Sequence, residues 1–169
     1  MTHTAPRSGK PWEWYTRLPR LGRMAIAAFV GALGPLGQAP YNQPLVMLLV
    51  FSLGFLMLRR QKRTGDAALI GWSFGLGYFS VAMIWIIQPF QIDPERHAWM
   101  APFALLFMSA GLALFWGAAF WAARLLSNRT WPLILTWTAA EFLRAYVLTG
   151  FPWANPAQAL VNGAAGQSL

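Results

Sequence analysis

Apolar residues in this chain come in five blocks that are separated by short polar joints. The blocks cover residues 21–36, 41–58, 67–90, 100–126 and 131–148. Each block is roughly 15 to 25 residues long, and about 20 apolar residues are enough for a helix to cross the hydrocarbon core of a bilayer. The pattern therefore predicts an all-α integral membrane protein, a bundle of about five transmembrane helices over residues 21–149.

The two ends of the chain are more polar than the blocks. Residues 1–20 are basic and predict a cytoplasmic tail, in which the stretch "PWEWY" either lies in the headgroup layer or belongs to a disordered tail. Residues 150–169 are small and polar and predict a loop outside the apolar core of the membrane. A basic region followed by a short apolar block is also compatible with a signal peptide, but we favour a first spanning helix over residues 21–36.

The charges of the joints indicate how the blocks cross the membrane. Lys and Arg lie in the tail and in the joints at 59–66 and 124–130, whereas the joint at 38–43 is uncharged and the joint at 91–99 is slightly acidic. Cytoplasmic loops carry the excess of Lys and Arg. The alternation predicts a multi-pass membrane protein with a cytoplasmic N-terminus, and an odd number of spans places residues 150–169 on the other side.

Composition supports a membrane protein and argues against a nucleic-acid partner. The chain is 57% hydrophobic and 11% charged, whereas soluble domains have about 25% charged residues. The net charge of +8 would suggest nucleic acid in a soluble protein, but no basic module with interleaved aromatic residues is present. Topology and anionic lipid headgroups explain the charge better.

Glycine spacing in the third block predicts close helix packing. Gly71 and Gly75 are four residues apart within "GWSFG". Small residues at this spacing let membrane helices approach closely. We therefore expect this part of the block to contact another helix.

Few residues in the chain could carry out chemistry. It has no cysteine, which excludes disulfides, thiolate metal sites and a cysteine nucleophile. Asp93, Glu95 and His97 share one joint, but no second ligand lies at a helical or hairpin spacing, so a solvated loop is the better interpretation. Phosphate-binding and serine-nucleophile motifs are absent from the sequence. No metal and no cofactor are predicted.

Glu141 and Arg144 are the charged pair that calls for an explanation. A charge near the bilayer centre costs at least about 2.5 to 3.5 kcal/mol, and residues three apart share a helix face and can pair. The pair either neutralises itself structurally or lines a cavity for a lipid substrate. Phe151, Pro152 and Trp153 follow near the outer interface, as an aromatic anchor or as part of the same cavity.

Four stretches together resemble a known family. They are "GPLGQAPYNQP", "GWSFGLGYF", "WIIQPFQID" and "EFLRAYVLTGFPW". In order and spacing they resemble the N-terminal membrane part of bacterial apolipoprotein N-acyltransferases, over residues 21–165. The last stretch is the most specific of the four.

The resemblance implies a location in the bacterial inner membrane, with residues 150–169 in a periplasmic loop, and it implies an activity and two lipid partners. Family members move an acyl chain from a membrane phospholipid to an enzyme cysteine, and then to the diacylglyceryl-cysteine at the N-terminus of an apolipoprotein. Their catalytic Glu, Lys and Cys belong to a nitrilase-like domain that we expect to be missing from this chain. The fragment alone is therefore expected to be inactive and to contain no catalytic residue.

The resemblance implies that some residues of this chain line the cavity through which lipid reaches the catalytic domain. The candidate residues are Glu141, Arg144, Phe151, Pro152 and Trp153. The alternative is a small integral membrane protein that acts as a non-catalytic scaffold or binds lipid.

Overall fold

The computed structural model describes residues 12–147 and 154–157, and within these ranges the chain folds into helices without strands. The all-α prediction is confirmed. The α-helices are α1 (Glu13–Arg17), α2 (Arg20–Ala32), α3 (Pro44–Arg60), α4 (Thr64–Ala82), α5 (Pro94–His97), α6 (Ala101–Leu126) and α7 (Pro132–Val147). Short 3₁₀ segments cover Gly34–Gly37, Ile84–Gln91 and Ala98–Met100.

The long helices run alternately in opposite directions, and α4 and α6 form the central pair. Helix α2 packs on α4, and α7 packs on α6. Helices α3, α5, α6 and α7 carry a proline in their first turn, where the missing N–H has no intrahelical partner to lose. The polar joints thus coincide with helix starts that the sequence encodes locally.

The third apolar block differs from the expected single span. Helix α4 ends at Ala82, and the chain continues as the 3₁₀ segment Ile84–Gln91 at an angle of 45°. Pro89 lies inside that segment. Its ring lacks an N–H and clashes with the carbonyl four residues before it, so an α-helix cannot continue through residues 85–89.

The helices differ in length and in how apolar they are. In the part of the chain that it describes, one helical run, Pro94–Leu126, is long and apolar enough to cross a membrane, and the bent pair 64–82 and 84–91 would make a second span. Helices α2, α3 and α7 have 13, 17 and 16 residues, fewer than the roughly 20 of a typical span.

Helices α2 and α4 approach through two glycines. A Cβ added at Gly31 would lie 1.9 Å from the carbonyl oxygen of Phe74, and one at Gly77 would lie 1.8 Å from the carbonyl oxygen of Ala28. Each glycine therefore lets the backbone of the other helix into the space of a side chain. Gly71 and Gly75 do the same for α6, since added Cβ atoms would lie 2.5 Å from the Phe120 ring and 3.1 Å from the Cα of Ala113.

Polar contacts close the end of the bundle at which α3 ends and α4 begins, which we call the basic end. Arg20 donates to Asp66 over 2.8 Å, and Arg23 donates to the Gln61 side chain over 3.0 Å. Arg124 donates to the carbonyl oxygen of Leu58 over 2.6 Å. These bonds join the start of α2 and the end of α6 to the α3–α4 joint.

The predicted tail is part of this packing from residue 12 onward. Tyr15 of α1 is completely buried, and burial raises the pKa of its hydroxyl to about 12. Aromatic content explains the difference from a disordered tail, because Trp12, Trp14 and Tyr15 supply apolar area that a polar tail lacks. Residues 1–11 lie outside the described part of the chain.

Candidate functional site

Glu141 and Arg144 form an ion pair within α7. A guanidinium N–H of Arg144 donates to Glu141 Oε2 over 2.6 Å. The Arg144 side chain is 1% exposed and the Glu141 side chain 16% exposed. The arginine is thus enclosed, while the carboxylate keeps a face open to its surroundings.

Trp116 of α6 holds the other oxygen of the same carboxylate. Its indole N–H donates to Glu141 Oε1 over 2.7 Å, and its side chain is completely buried. Sequence reasoning missed this residue, because it lies in a uniformly apolar block. One signal was available: a buried indole N–H usually needs a hydrogen-bond acceptor. Glu141 is the one acidic residue within the apolar blocks and could supply that acceptor.

The arginine side of the pair rests on α4. The Arg144 Cζ atom lies 5.3 Å from the centre of the Phe79 ring, a cation–π distance. Phe79 is completely buried, and its ring centre lies 5.0 Å from that of Trp116. Three helices therefore converge on one charge pair and fix the direction of the carboxylate.

An apolar pocket of about 470 Å³ opens beside the carboxylate. Its walls come from α3, from α7 and from residues 155–157, and they include Phe51, Phe55, Trp137 and Asn155. Glu141 is the one charged side chain among the described residues that line it, and Arg144 is not part of the lining. A molecule in the pocket therefore meets aromatic surface and the open side of a carboxylate.

The segment 154–157 is tied to distant parts of the chain. The Tyr78 hydroxyl of α4 donates to the carbonyl oxygen of Ala154 over 3.1 Å. The Gln38 side-chain amide donates to the carbonyl oxygen of Asn155 over 2.8 Å. These bonds position one wall of the pocket. Of the predicted cavity residues, Phe151, Pro152 and Trp153 lie outside the described residues.

Three of the four quoted stretches meet at this site. Gln38 comes from "GPLGQAPYNQP", Tyr78 and Phe79 from "GWSFGLGYF", and Glu141 and Arg144 from "EFLRAYVLTGFPW". The fourth, "WIIQPFQID", covers residues 85–93. It forms the 3₁₀ segment Ile84–Gln91 with Ile84 and Trp85 exposed.

The described part of the site offers a bound molecule aromatic surface and the Glu141 carboxylate. Thr138 lines the pocket one turn before Glu141, but its hydroxyl donates to the Ile134 carbonyl oxygen over 2.8 Å. It is therefore not arranged as a nucleophile activated by the carboxylate. Within 12–147 and 154–157, no three His, Asp or Glu residues form a group that could hold a metal ion. The carboxylate can accept hydrogen bonds from a bound molecule and can orient it.

These features define a class: a helical, strongly apolar protein with a buried ion pair at the edge of an apolar pocket. Residues 30–168 match the family model described as the apolipoprotein N-acyltransferase N-terminal domain. The chain belongs to this family, and the resemblance seen in the sequence is confirmed.

Relatives from several bacteria carry the name apolipoprotein N-acyltransferase. The chain is 39% identical over 151 residues to that of Rhodopseudomonas palustris, covering 84% of this chain and 27% of the relative. It is 43% identical over 103 residues to that of Caulobacter vibrioides, covering 59% of this chain and 19% of the relative. The chain thus spans about a quarter or less of the length of the curated relatives that it matches.

Proposed function

We propose that the chain is the membrane-embedded N-terminal part of an apolipoprotein N-acyltransferase, with five crossings of the bacterial inner membrane and a cytoplasmic N-terminus. The whole enzyme transfers an acyl chain from a phospholipid to the N-terminal diacylglyceryl-cysteine of an apolipoprotein. The name of the relatives and the matched domain support this proposal.

The exposed apolar surface of α6 supports the membrane location. The most apolar stretch of Pro94–Leu126 has a mean hydropathy of 1.9, but only 39% of this stretch is buried inside the protein. A core helix of a soluble protein would hide most of such a surface. Large apolar side chains of α6 are instead exposed, among them Phe107, Leu114 and Leu125. Lipid tails are the natural surroundings for this face.

The shorter helices become long enough to cross a membrane when the segments next to them in sequence are included. The 3₁₀ segment Gly34–Gly37 follows α2 almost directly. Helix α3 keeps Leu45, Leu48 and Leu49 exposed along its outer side. Helices at the edge of a bundle can be somewhat shorter than the hydrocarbon core, because the bilayer thins locally at small cost.

The pocket beside Glu141 is the observation that carries the functional proposal. Its aromatic walls suit an acyl chain, and the carboxylate can accept a hydrogen bond from an N–H or O–H group elsewhere in the lipid, such as an amino or hydroxyl group of its polar part. Because Arg144 neutralises the carboxylate from behind, a lipid can approach without meeting an unbalanced charge. We infer that Glu141 is part of the wall of a cavity for the phospholipid donor or the diacylglyceryl acceptor, that Arg144 holds it in place from behind, and that residues 151–153 belong to the same wall.

The bond-making step belongs elsewhere in this proposal. A thioester intermediate requires a cysteine, and these 169 residues contain none. The catalytic Glu, Lys and Cys are expected in the part of the relatives that the chain does not match. These 169 residues then supply membrane anchorage and lipid access, and they do not transfer an acyl chain alone.

A cysteine-free chain allows a direct test of the five-span topology. Single-cysteine variants Tyr41→Cys and Glu95→Cys should react with a membrane-impermeant maleimide in cells whose outer membrane has been opened. Gly65→Cys and Asn128→Cys should react only after the inner membrane is lysed, because their joints are predicted to be cytoplasmic.

The unsubstituted chain, which should give no signal, is the control. Equal labelling of Gly65→Cys and Glu95→Cys before lysis would contradict the proposed topology. Recovery of the protein in the soluble fraction would contradict the membrane location itself.

A further inference from the structure

The acidic residues of the chain are too few, and too far away, to neutralise the basic residues of the α3–α4 joint. The chain has five Asp and Glu residues. Glu13 pairs with Arg17, Asp66 with Arg20, and Glu141 with Arg144. The other two, Asp93 and Glu95, lie at the start of α5, at the opposite end of the bundle from the basic end. The α3–α4 joint therefore has no acid left to neutralise it apart from Asp66.

Apart from the half-buried Arg60, the basic residues around the α3–α4 joint fall into two groups. The first is engaged in structure: Arg20 with Asp66, Arg23 with the Gln61 side chain, and Arg124 with backbone carbonyl oxygens. The second group is Arg59, Lys62 and Arg63, which are exposed and make no ion pair within the described residues. Three cations thus project together from one short joint.

An aromatic cluster lies beside these cations. The rings of Trp12, Trp14 and Tyr15 have centres 6.0 to 6.3 Å apart. Buried Tyr15 holds α1 on the bundle, with its hydroxyl near the Gln61 side chain. Because Gln61 directly precedes Lys62, the cluster adjoins the free cations. Trp14 remains 53% exposed, so an indole is available at the surface.

We propose that α1 and residues 59–63 form a binding site for the headgroups of anionic phospholipids in the cytoplasmic leaflet. Guanidinium and ammonium groups donate charge-assisted hydrogen bonds to phosphate oxygens. Basic residues next to a spanning helix are attracted to anionic lipid, and Trp side chains prefer the headgroup layer. The sidedness rests on the proposed function. The site is separate from the pocket at Glu141, which lies toward the other end of α7.

Lipid retention by the purified full chain tests this site. The chain is equilibrated in detergent with equal amounts of phosphatidylglycerol and phosphatidylcholine, and retained lipids are counted by native mass spectrometry. Arg59→Gln, Lys62→Gln and Arg63→Gln combined should lower the preference for phosphatidylglycerol by about fivefold for each cation that contacts a headgroup. The matched control Arg59→Lys, Lys62→Arg and Arg63→Lys keeps all three charges and should retain most of the preference.

The outcomes separate this inference from the proposed function. A wild-type preference in the triple Gln variant overturns the site, and so does tighter retention of a short single-stranded oligonucleotide than of phosphatidylglycerol. Competition by inorganic phosphate at the same concentration as the lipid also overturns it, because that would show a site for free anions. Failure of the unsubstituted chain to float with phosphatidylcholine vesicles would instead overturn the proposed membrane location.

Discussion

Replacing Arg144 by Met is expected to lower the free energy of unfolding by about 3 to 5 kcal/mol, the usual cost of removing one partner of a buried ion pair. The guanidinium is 1% exposed and lies 2.6 Å from the Glu141 carboxylate. Without it, Glu141 keeps the Trp116 hydrogen bond but loses its counter-charge in apolar surroundings. Reversible unfolding in mixed micelles measures the loss.

Two further variants identify the cause of that loss. Glu141→Gln combined with Arg144→Met removes both charges and should recover much of the stability, because Gln can still accept the Trp116 hydrogen bond. Arg17→Met is the matched control. It breaks the Glu13–Arg17 pair, which is also intrahelical, but the Arg17 side chain is 79% exposed and the Glu13 side chain 48% exposed. The substitution should therefore change stability little. Equal losses for Arg17→Met and Arg144→Met would contradict the structural role of the pair.

Gly77→Ala is expected to destabilise the bundle by about 1 to 3 kcal/mol or more, the usual range for added volume in a packed interior. The new Cβ would lie 1.8 Å from the Ala28 carbonyl oxygen. A backbone atom cannot rotate away as a flexible side chain can, so α2 and α4 must separate along their crossing. Thermal unfolding and the yield of folded protein both report the change.

Gly111→Ala provides the control for helix propensity. Gly111 lies inside α6, and an added Cβ would meet no atom within 4 Å. Ala is favoured over Gly in a helix interior by about 1 kcal/mol, so this variant should be neutral or stabilised. If Gly77→Ala behaved like Gly111→Ala, the close α2–α4 crossing would be wrong.

Sequence patterns predicted the helices because each apolar block is bounded by local signals. Prolines start α3, α5, α6 and α7, and polar joints separate them. The glycine spacing at Gly71 and Gly75 predicted a close helix contact, and the structure has one with α6. What the pattern could not provide was partner identity. The tighter crossing uses Gly31 and Gly77, which belong to different helices and share no local spacing.

The site was only partly accessible from sequence for the same reason. The spacing of Glu141 and Arg144 predicts that they can pair, because both lie on one helix. The contacts of Trp116, Phe79, Tyr78 and Gln38 are tertiary. The three aromatic residues do not stand out in their apolar blocks, and Gln38 does not stand out in its polar joint. The packing of α1 on the bundle was also missed, since the stretch "PWEWY" predicted either a piece in the headgroup layer or a disordered tail.

The central claim is that the pocket beside Glu141 holds a lipid substrate, and filling it is the most direct test. In a chimera, residues 1–169 replace the matching part of the Rhodopseudomonas palustris relative, and acyl transfer from phospholipid to a diacylglyceryl peptide is measured. Ala145 lines the pocket, whereas Ala139 of the same helix is exposed and does not. Ala145→Trp should lower the rate roughly tenfold or more, since even small displacements of a substrate are costly. Ala139→Trp should leave it unchanged, with equal amounts of folded protein in both variants. Equal rates in the two folded variants would contradict the account.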